Sequence, residues 1–120
     1  MLDDVKMRLG SLGFTVAEAD NWVIEFCCEK VTSHIKNNCN VSAIPEGLRE
    51  VAIDLACGEF LRGKFKSGGL DYERAVKRIK EGDTDVEFVA GLSDAELVNA
   101  LIADLRGREI DFAAHRRMKW

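Results

Sequence analysis

The stretch Ile44-Pro45-Glu46-Gly47-Leu48-Arg49-Glu50-Val51-Ala52-Ile53-Asp54-Leu55-Ala56-Cys57-Gly58-Glu59-Phe60-Leu61 decides the fold. Pro45 suits the first helical position, where no amide is needed, and Glu46 complements the positive end of the helix. Leu48, Val51, Ala52, Leu55 and Ala56 recur at helical spacing. Ile53, Cys57, Phe60 and Leu61 carry the apolar surface round the cylinder. Glu46, Glu50 and Asp54, at i, i+4 and i+8, leave only a narrow polar stripe. A helix apolar over most of its circumference needs neighbours on most sides, so it is expected at the centre of a helical bundle.

The flanks supply those neighbours. Upstream, Leu2, Val5 and Leu9 fall at helical spacing over residues 2–9, with Gly10 as a terminator. Thr15-Val16-Ala17-Glu18 reads as a capping box opening a second helix, with Phe14 and Ala19 as its hydrophobic staple. Ala19, Trp22, Val23, Phe26, Cys27, Val31 and Ile35 form its expected core stripe. Asp20, Glu25, Glu29 and Lys36 lie opposite, and the end is expected near Asn37-Asn38.

Downstream, Arg62 to Gly69 reads as a basic, glycine-rich connector. A short helix is expected from Asp71, with Ala75, Val76 and Ile79 inward. A turn follows at 80–85 and an extended stretch at 86–89. Ser93-Asp94-Ala95-Glu96 is a second capping box, with Leu92 and Leu97 as its staple. Leu97, Val98, Leu101, Ile102 and Leu105 form the core face of the helix it opens. Gly107 closes that helix, and residues 108–120 form a C-terminal tail. The expected fold is all-α: a small bundle of three to four main helices, with an irregular segment over 62–92 between the third and the last.

The chain of 120 residues is 47% hydrophobic and 32% charged, which suits one domain over 1–120 with one core. A net charge of −4 argues against a chain basic enough throughout to wrap nucleic acid. No apolar run reaches membrane-spanning length, so no membrane role is expected. The acidic start Met1-Leu2-Asp3-Asp4-Val5 lacks the basic and apolar regions of a signal peptide, so synthesis and residence in a cytoplasm are expected. In that setting Cys27, Cys28, Cys39 and Cys57 are expected as reduced thiols.

Catalytic and cofactor chemistry finds little support. Structural zinc favours close cysteine pairs of the C-x2-C kind, and none is present. Cys27 and His34 share a helix face, but among aliphatic and aromatic neighbours, where cysteine serves as a small hydrophobe. No histidine stands in a recognisable nucleophile–base setting, so no enzymatic activity, metal or cofactor is expected. Asp3 and Asp4 suit a helix N-terminus, and Asp83 and Asp85 suit a turn. Gly63, Gly68 and Gly69 match neither phosphate-binding glycine pattern.

Two features leave room for partners. Asn37 to Ser42 would serve as the turn of a helix-turn-helix, which makes a small DNA-binding regulator the alternative function. The helix after that turn, however, exposes an acidic stripe that would repel phosphates. Basic residues gather at Arg62/Lys64/Lys66, at Arg74/Lys77/Arg78/Lys80 and in the tail. The tail ends Arg116-Arg117-Met118-Lys119-Trp120, a mixture of the side chains most often found at binding hot spots.

Five pieces in order give the chain a family likeness. They are Leu2-Asp3-Asp4-Val5-Lys6 with Leu9-Gly10, then Ile35-Lys36-Asn37-Asn38-Cys39-Asn40 running into Ile44-Pro45-Glu46-Gly47-Leu48, then Gly58-Glu59-Phe60-Leu61. Ile79-Lys80-Glu81-Gly82-Asp83-Thr84 with Val86-Glu87-Phe88 is the fourth. Ile110-Asp111-Phe112-Ala113 with Arg116-Arg117-Met118-Lys119-Trp120 is the fifth. Together they resemble the head–tail connector (adaptor, head-completion) proteins of tailed phages and of prophages of Gram-positive bacteria. The closing Arg-Arg-x-Lys-Trp is the most distinctive piece. Ala114-His115 is a departure, since an aromatic is expected nearer the arginines.

The resemblance implies a non-enzymatic structural protein of the virion, assembled in the bacterial host cytoplasm, with a small helical fold. It implies a ring of copies beneath the portal protein that continues the DNA channel and docks the next connector or tail component. DNA would pass through without sequence-specific binding. It also implies that Phe112, Arg116, Arg117, Met118, Lys119 and Trp120 contact the portal. An acidic wall suits sliding DNA, and Glu46, Glu50 and Asp54 are the expected channel-facing residues.

Overall fold

The computed structural model describes residues 1–82, 91–109 and 112. Its axis is the helix read first in the sequence. A one-turn 3-10 helix at Glu46–Leu48 leads into α3, Arg49–Ser67, along which Val51, Ala52, Leu55, Ala56, Cys57, Phe60 and Leu61 are all buried. Three helices pack on it: α1 (Leu2–Leu12), α2 (Asn21–Cys39) and α5 (Asp94–Arg106). The short α4 (Glu73–Glu81) packs on α5. The all-α expectation holds. The count is five α-helices among the described residues rather than three to four.

α1 buries Val5, Leu9 and Leu12, one face at i, i+4 and i+7. Gly13 ends it at φ 100, with the Phe14 amide donating to Leu9 O at 3.0 Å and the Gly13 amide to Gly10 O at 3.1 Å. This paired closure needs a left-handed residue, which glycine adopts without a Cβ clash. Glycine is required there for a second reason. A Cβ on Gly13 would lie 2.8 Å from the Ala75 backbone nitrogen, because α4 begins against it.

The second helix starts later than the Thr15 box predicts. Thr15 is exposed, and the chain reaches α2 through a one-turn 3-10 helix at Glu18–Asp20. Asp20 takes the capping role by accepting the Ala17 amide at 3.2 Å, and Lys64 of α3 holds the same carboxylate at 2.9 Å. At the other end α2 runs past Asn37-Asn38, because Asn38 bonds back to the His34 carbonyl at 3.2 Å and stays helical. Asn40, at φ 56, is the left-handed terminator.

The expected 62–69 connector is also corrected: α3 continues to Ser67, and Gly68 closes it at φ 77. Gly63 costs a helix interior about 1 kcal/mol. Tertiary contacts offset it: Lys64 pairs with Asp20 and lies 5.9 Å from the Phe60 ring, and Phe65 packs on Tyr72 at 6.1 Å. The helix expected from Asp71 forms as α4, with Ala75, Val76 and Ile79 buried, so 62–92 is not irregular throughout. α4 runs to Glu81 and closes at Gly82, so the turn expected from 80 begins later; residues 83–85 and the expected extended stretch at 86–89 lie outside the described residues.

α5 follows expectation. Ser93 and Glu96 exchange the two capping bonds, both at 3.2 Å, and Leu97, Val98, Leu101, Ile102 and Leu105 are buried. α5 approaches α3 closely at Gly58, where a Cβ would meet Arg106 Cγ at 2.7 Å and Leu105 Cβ at 3.3 Å.

Candidate functional site

The candidate functional features are surfaces and anchors. Among the described residues, no three histidine, cysteine or acidic side chains gather as metal ligands. All four cysteines are buried and unpaired to one another. Burial raises the Cys27 and Cys28 thiols and pushes Cys57 up to about 12, so they stay protonated in the core. No helix among the described residues is long and apolar enough to cross a membrane.

Phe112, expected as a portal contact, belongs to the core instead. It is 2% exposed, its ring centroid is 5.6 Å from that of His34, and the Cys39 thiol lies 3.8 Å from its carbonyl oxygen. His34 also pairs with Glu109, so α2 grips the chain beyond α5 at two points. A buried aromatic ring has no face left for another protein. The remaining expected portal contacts, Arg116, Arg117, Met118, Lys119 and Trp120, lie outside the described residues.

The acidic stripe of α3 divides. Glu46 and Glu50 are exposed, but Asp54 is buried, with 6% of its surface accessible. Arg8 of α1 donates to one Asp54 oxygen at 2.9 Å, and Arg108 donates to the other. A carboxylate enclosed by two guanidiniums cannot contribute negative potential to a channel wall, so Asp54 is corrected from an exposed acid to an internal tie. The burial of α3 also bears on the helix-turn-helix reading. The helix that would enter a DNA groove is the one enclosed by its neighbours.

The sequence reading missed one surface. Trp22 and Phe26, expected in the α2 core stripe, are 71% and 64% exposed. The buried face is Ile24, Cys27, Cys28, Val31, Ile35 and Cys39. The first half of α2 is apolar on two adjacent faces and only one meets α3. The run Ile24, Cys28, Val31, Ile35, Cys39 persists to the helix end, whereas the Trp22 face turns polar after Phe26. That persistence was the available signal.

Trp22 and Phe26 flank a shallow groove of about 500 Å³ between α2 and α3, floored by Phe60 and Gly63. Glu25 and Glu29 stand exposed beside Trp22 and Phe26 on α2 by helical spacing, and they and the exposed Glu18 form no salt bridge among the described residues. The nearby Lys30 and Lys64 are taken by Glu59 at 3.2 Å and by Asp20 at 2.9 Å. The hydrogen bond from Lys64 lowers the Asp20 pKa, ahead of the opposing effect of burial. The groove is therefore flanked by two aromatic rings, the charges lining it (Asp20, Glu59, Lys30 and Lys64) balance, and the acids Glu25 and Glu29 lie beside the rings on the exposed surface of α2.

Compared with known protein families, characterised proteins and solved structures, the chain matches none.

Proposed function

We propose that the protein is a structural subunit of a tailed phage or prophage, forming a ring between the portal vertex and the tail or stopper. The observation that carries this reading is the order of sequence at the C-terminus. An aromatic residue anchored in the core, Phe112, is followed directly by Ala113-Ala114-His115 and then by Arg116-Arg117-Met118-Lys119-Trp120. The five ordered segments that resemble head–tail connectors support it, and a small all-α domain is compatible with it.

In this reading Phe112 is the fixed point, and the segment after it is the portal-contacting element. Arg116 and Arg117 would pair with portal carboxylates, and Trp120 would fill an apolar pocket. Met118 and Lys119 would complete the contact. Exposed Glu46 and Glu50 would face the DNA path, where like charge keeps phosphates from being held. The protein would act without catalysis or cofactor.

The test is imaging of purified portal rings mixed with the full-length chain. The expected result is a second ring of density on one face of the portal. Bare portals would sink the reading. If the chain instead shifted duplex DNA with a steep salt slope, the small DNA-binding regulator would take its place. The exposed cations Arg74 and Lys77 and the half-buried Arg78 on α4 are the feature that favours that alternative.

A further inference from the structure

Two surfaces on different helices are complementary. The first is the groove between α2 and α3 flanked by the exposed Trp22 and Phe26, with the exposed Glu25 and Glu29 beside those rings on α2 by helical spacing and in no salt bridge among the described residues. The second is the outer face of α4, where Arg74, Lys77, Arg78 and Lys80 outnumber Glu73 and Glu81. Lys80 pairs with Asp94 at 3.5 Å, whereas Arg74, Lys77 and Arg78 form no salt bridge among the described residues.

We propose that these two surfaces bind each other between copies of this chain: the Trp22/Phe26 groove of one subunit seats the basic α4 face of the next. The chemistry selects this occupant. An exposed indole and phenyl ring flanked by carboxylates favours a helix presenting arginine and lysine, through cation–π contacts and charge pairing. The chain carries such a helix itself. α2 packs on α1 and α3 while α4 packs on α5, so donor and acceptor are separate patches. A contact between unlike patches is heterologous, and repeated from copy to copy it gives a ring where the rotation closes, as the reading above requires. The inference rests on the ring-forming reading above and names the subunit contact that reading leaves open.

The test is zero-length carbodiimide cross-linking of the full-length chain, alone at millimolar concentration and with portal rings present. Equal amounts of isotopically light and heavy protein separate intermolecular from intramolecular links. Links from Glu25 or Glu29 to Lys77 or Lys80, of mixed isotope, are expected. Trp22→Ser with Phe26→Ser should cut their yield about tenfold or more, as loss of hot-spot aromatics does. Glu25→Lys with Glu29→Lys should also block assembly, as should Arg74→Glu with Lys77→Glu. Mixing these two variants should restore assembly, because each then offers the other an opposite charge. All these positions are exposed, and unchanged thermal melting would show that the fold survives.

Absence of mixed-isotope links under both conditions would overturn the contact, and so would failure of the two variants to rescue each other. If Arg74→Glu with Lys77→Glu abolished DNA retention while self-assembly was unchanged, α4 would be a nucleic-acid face and the proposal would fall. Portal binding is scored separately. Portal decoration without these links leaves the connector reading standing and removes this contact, and links without portal binding do the reverse.

Discussion

Arg8 Nε donates to Asp54 Oδ1 at 2.9 Å across 46 positions of sequence, tying α1 to the middle of the central helix. Arg108, beyond α5, reaches the other oxygen of the same carboxylate. One buried acid thus joins the N-terminal helix, the axis of the bundle and the segment leading to the tail. Asp54→Ala strands two guanidiniums that are 35% and 37% exposed. Breaking a fully buried pair costs about 3–5 kcal/mol, and partial exposure reduces the expected loss to about 2–3 kcal/mol. Urea denaturation measures it, and a loss below about 0.5 kcal/mol, the range of an ordinary surface substitution, would contradict the role.

Gly13 is expected to tolerate no side chain. At φ 100, with the Ala75 backbone nitrogen 2.8 Å from a built Cβ, Gly13→Ala combines left-handed strain with overpacking. A loss of about 2–4 kcal/mol is expected. Gly63→Ala is the control: it sits in helical backbone with nothing within 4 Å, so it should gain up to about 1 kcal/mol. Thermal melts of the two variants should move in opposite directions.

Phe112→Ala should cost about 3 kcal/mol, as other buried phenylalanine truncations do. Were Phe112 a portal contact, the same change would leave stability intact and weaken only binding. Chemical denaturation and portal binding, measured on the same variant, separate the two roles.

Cys57 sets a pH dependence at the alkaline end. Burial, with the nearby Asp54 charge adding to it, pushes its pKa up to about 12 from an ordinary value of 9.0. The unfolded chain therefore loses this proton first as pH rises. The contribution of the thiol to stability is complete below about 9 and declines as pH climbs towards about 12. Cys57→Ala should flatten that decline. At neutral pH the native thiol should also hold roughly a thousandfold less thiolate than a free one, so labelling by a thiol reagent should require unfolding. Rapid labelling of Cys57 in the native protein would contradict its placement.

Asp20 acts at the acid end. Its lowered pKa, from the Lys64 hydrogen bond, means the unfolded chain takes up this proton first as pH falls. Its stabilising effect is full above the ordinary carboxylate value of 3.8 and is lost as pH drops through its lowered value. Lys64→Met should remove that part of the acid sensitivity, read as a smaller loss of melting temperature below pH 4.

What was legible in the sequence follows from how local each signal is. The central place of α3 was legible because an apolar circumference has one physical solution, and α5 because its Ser93–Glu96 cap is made within four residues. Non-local facts were not legible. Asp54 reads as an exposed acid until Arg8 and Arg108, distant in sequence, are brought to it. α3 reads as ending near Arg62 because Gly63 is a weak helix former, and only Asp20 and Tyr72 show what holds its last turns. Trp22 and Phe26 read as core because aromatics usually are, and their exposure depends on which of two apolar faces α3 occupies. Of the expected site residues, Phe112 and Asp54 turned out to hold the bundle together, while Glu46 and Glu50 are exposed.

On the proposed connector reading, reversing the exposed charges, Glu46→Lys with Glu50→Lys, should slow DNA exit from assembled particles without altering the fold, since neither side chain is buried. Ejection kinetics triggered in vitro read the effect. Unchanged kinetics would remove these residues from the channel wall.

The most direct measurement is a pull-down of the portal protein encoded in the same genome, using the full chain and a chain ending at Phe112. The shorter chain keeps the core anchor and loses only residues 113–120. Retention of portal by the full chain and its loss by the shorter one is the expected result. Retention by neither, at low and moderate salt, would contradict the connector function itself.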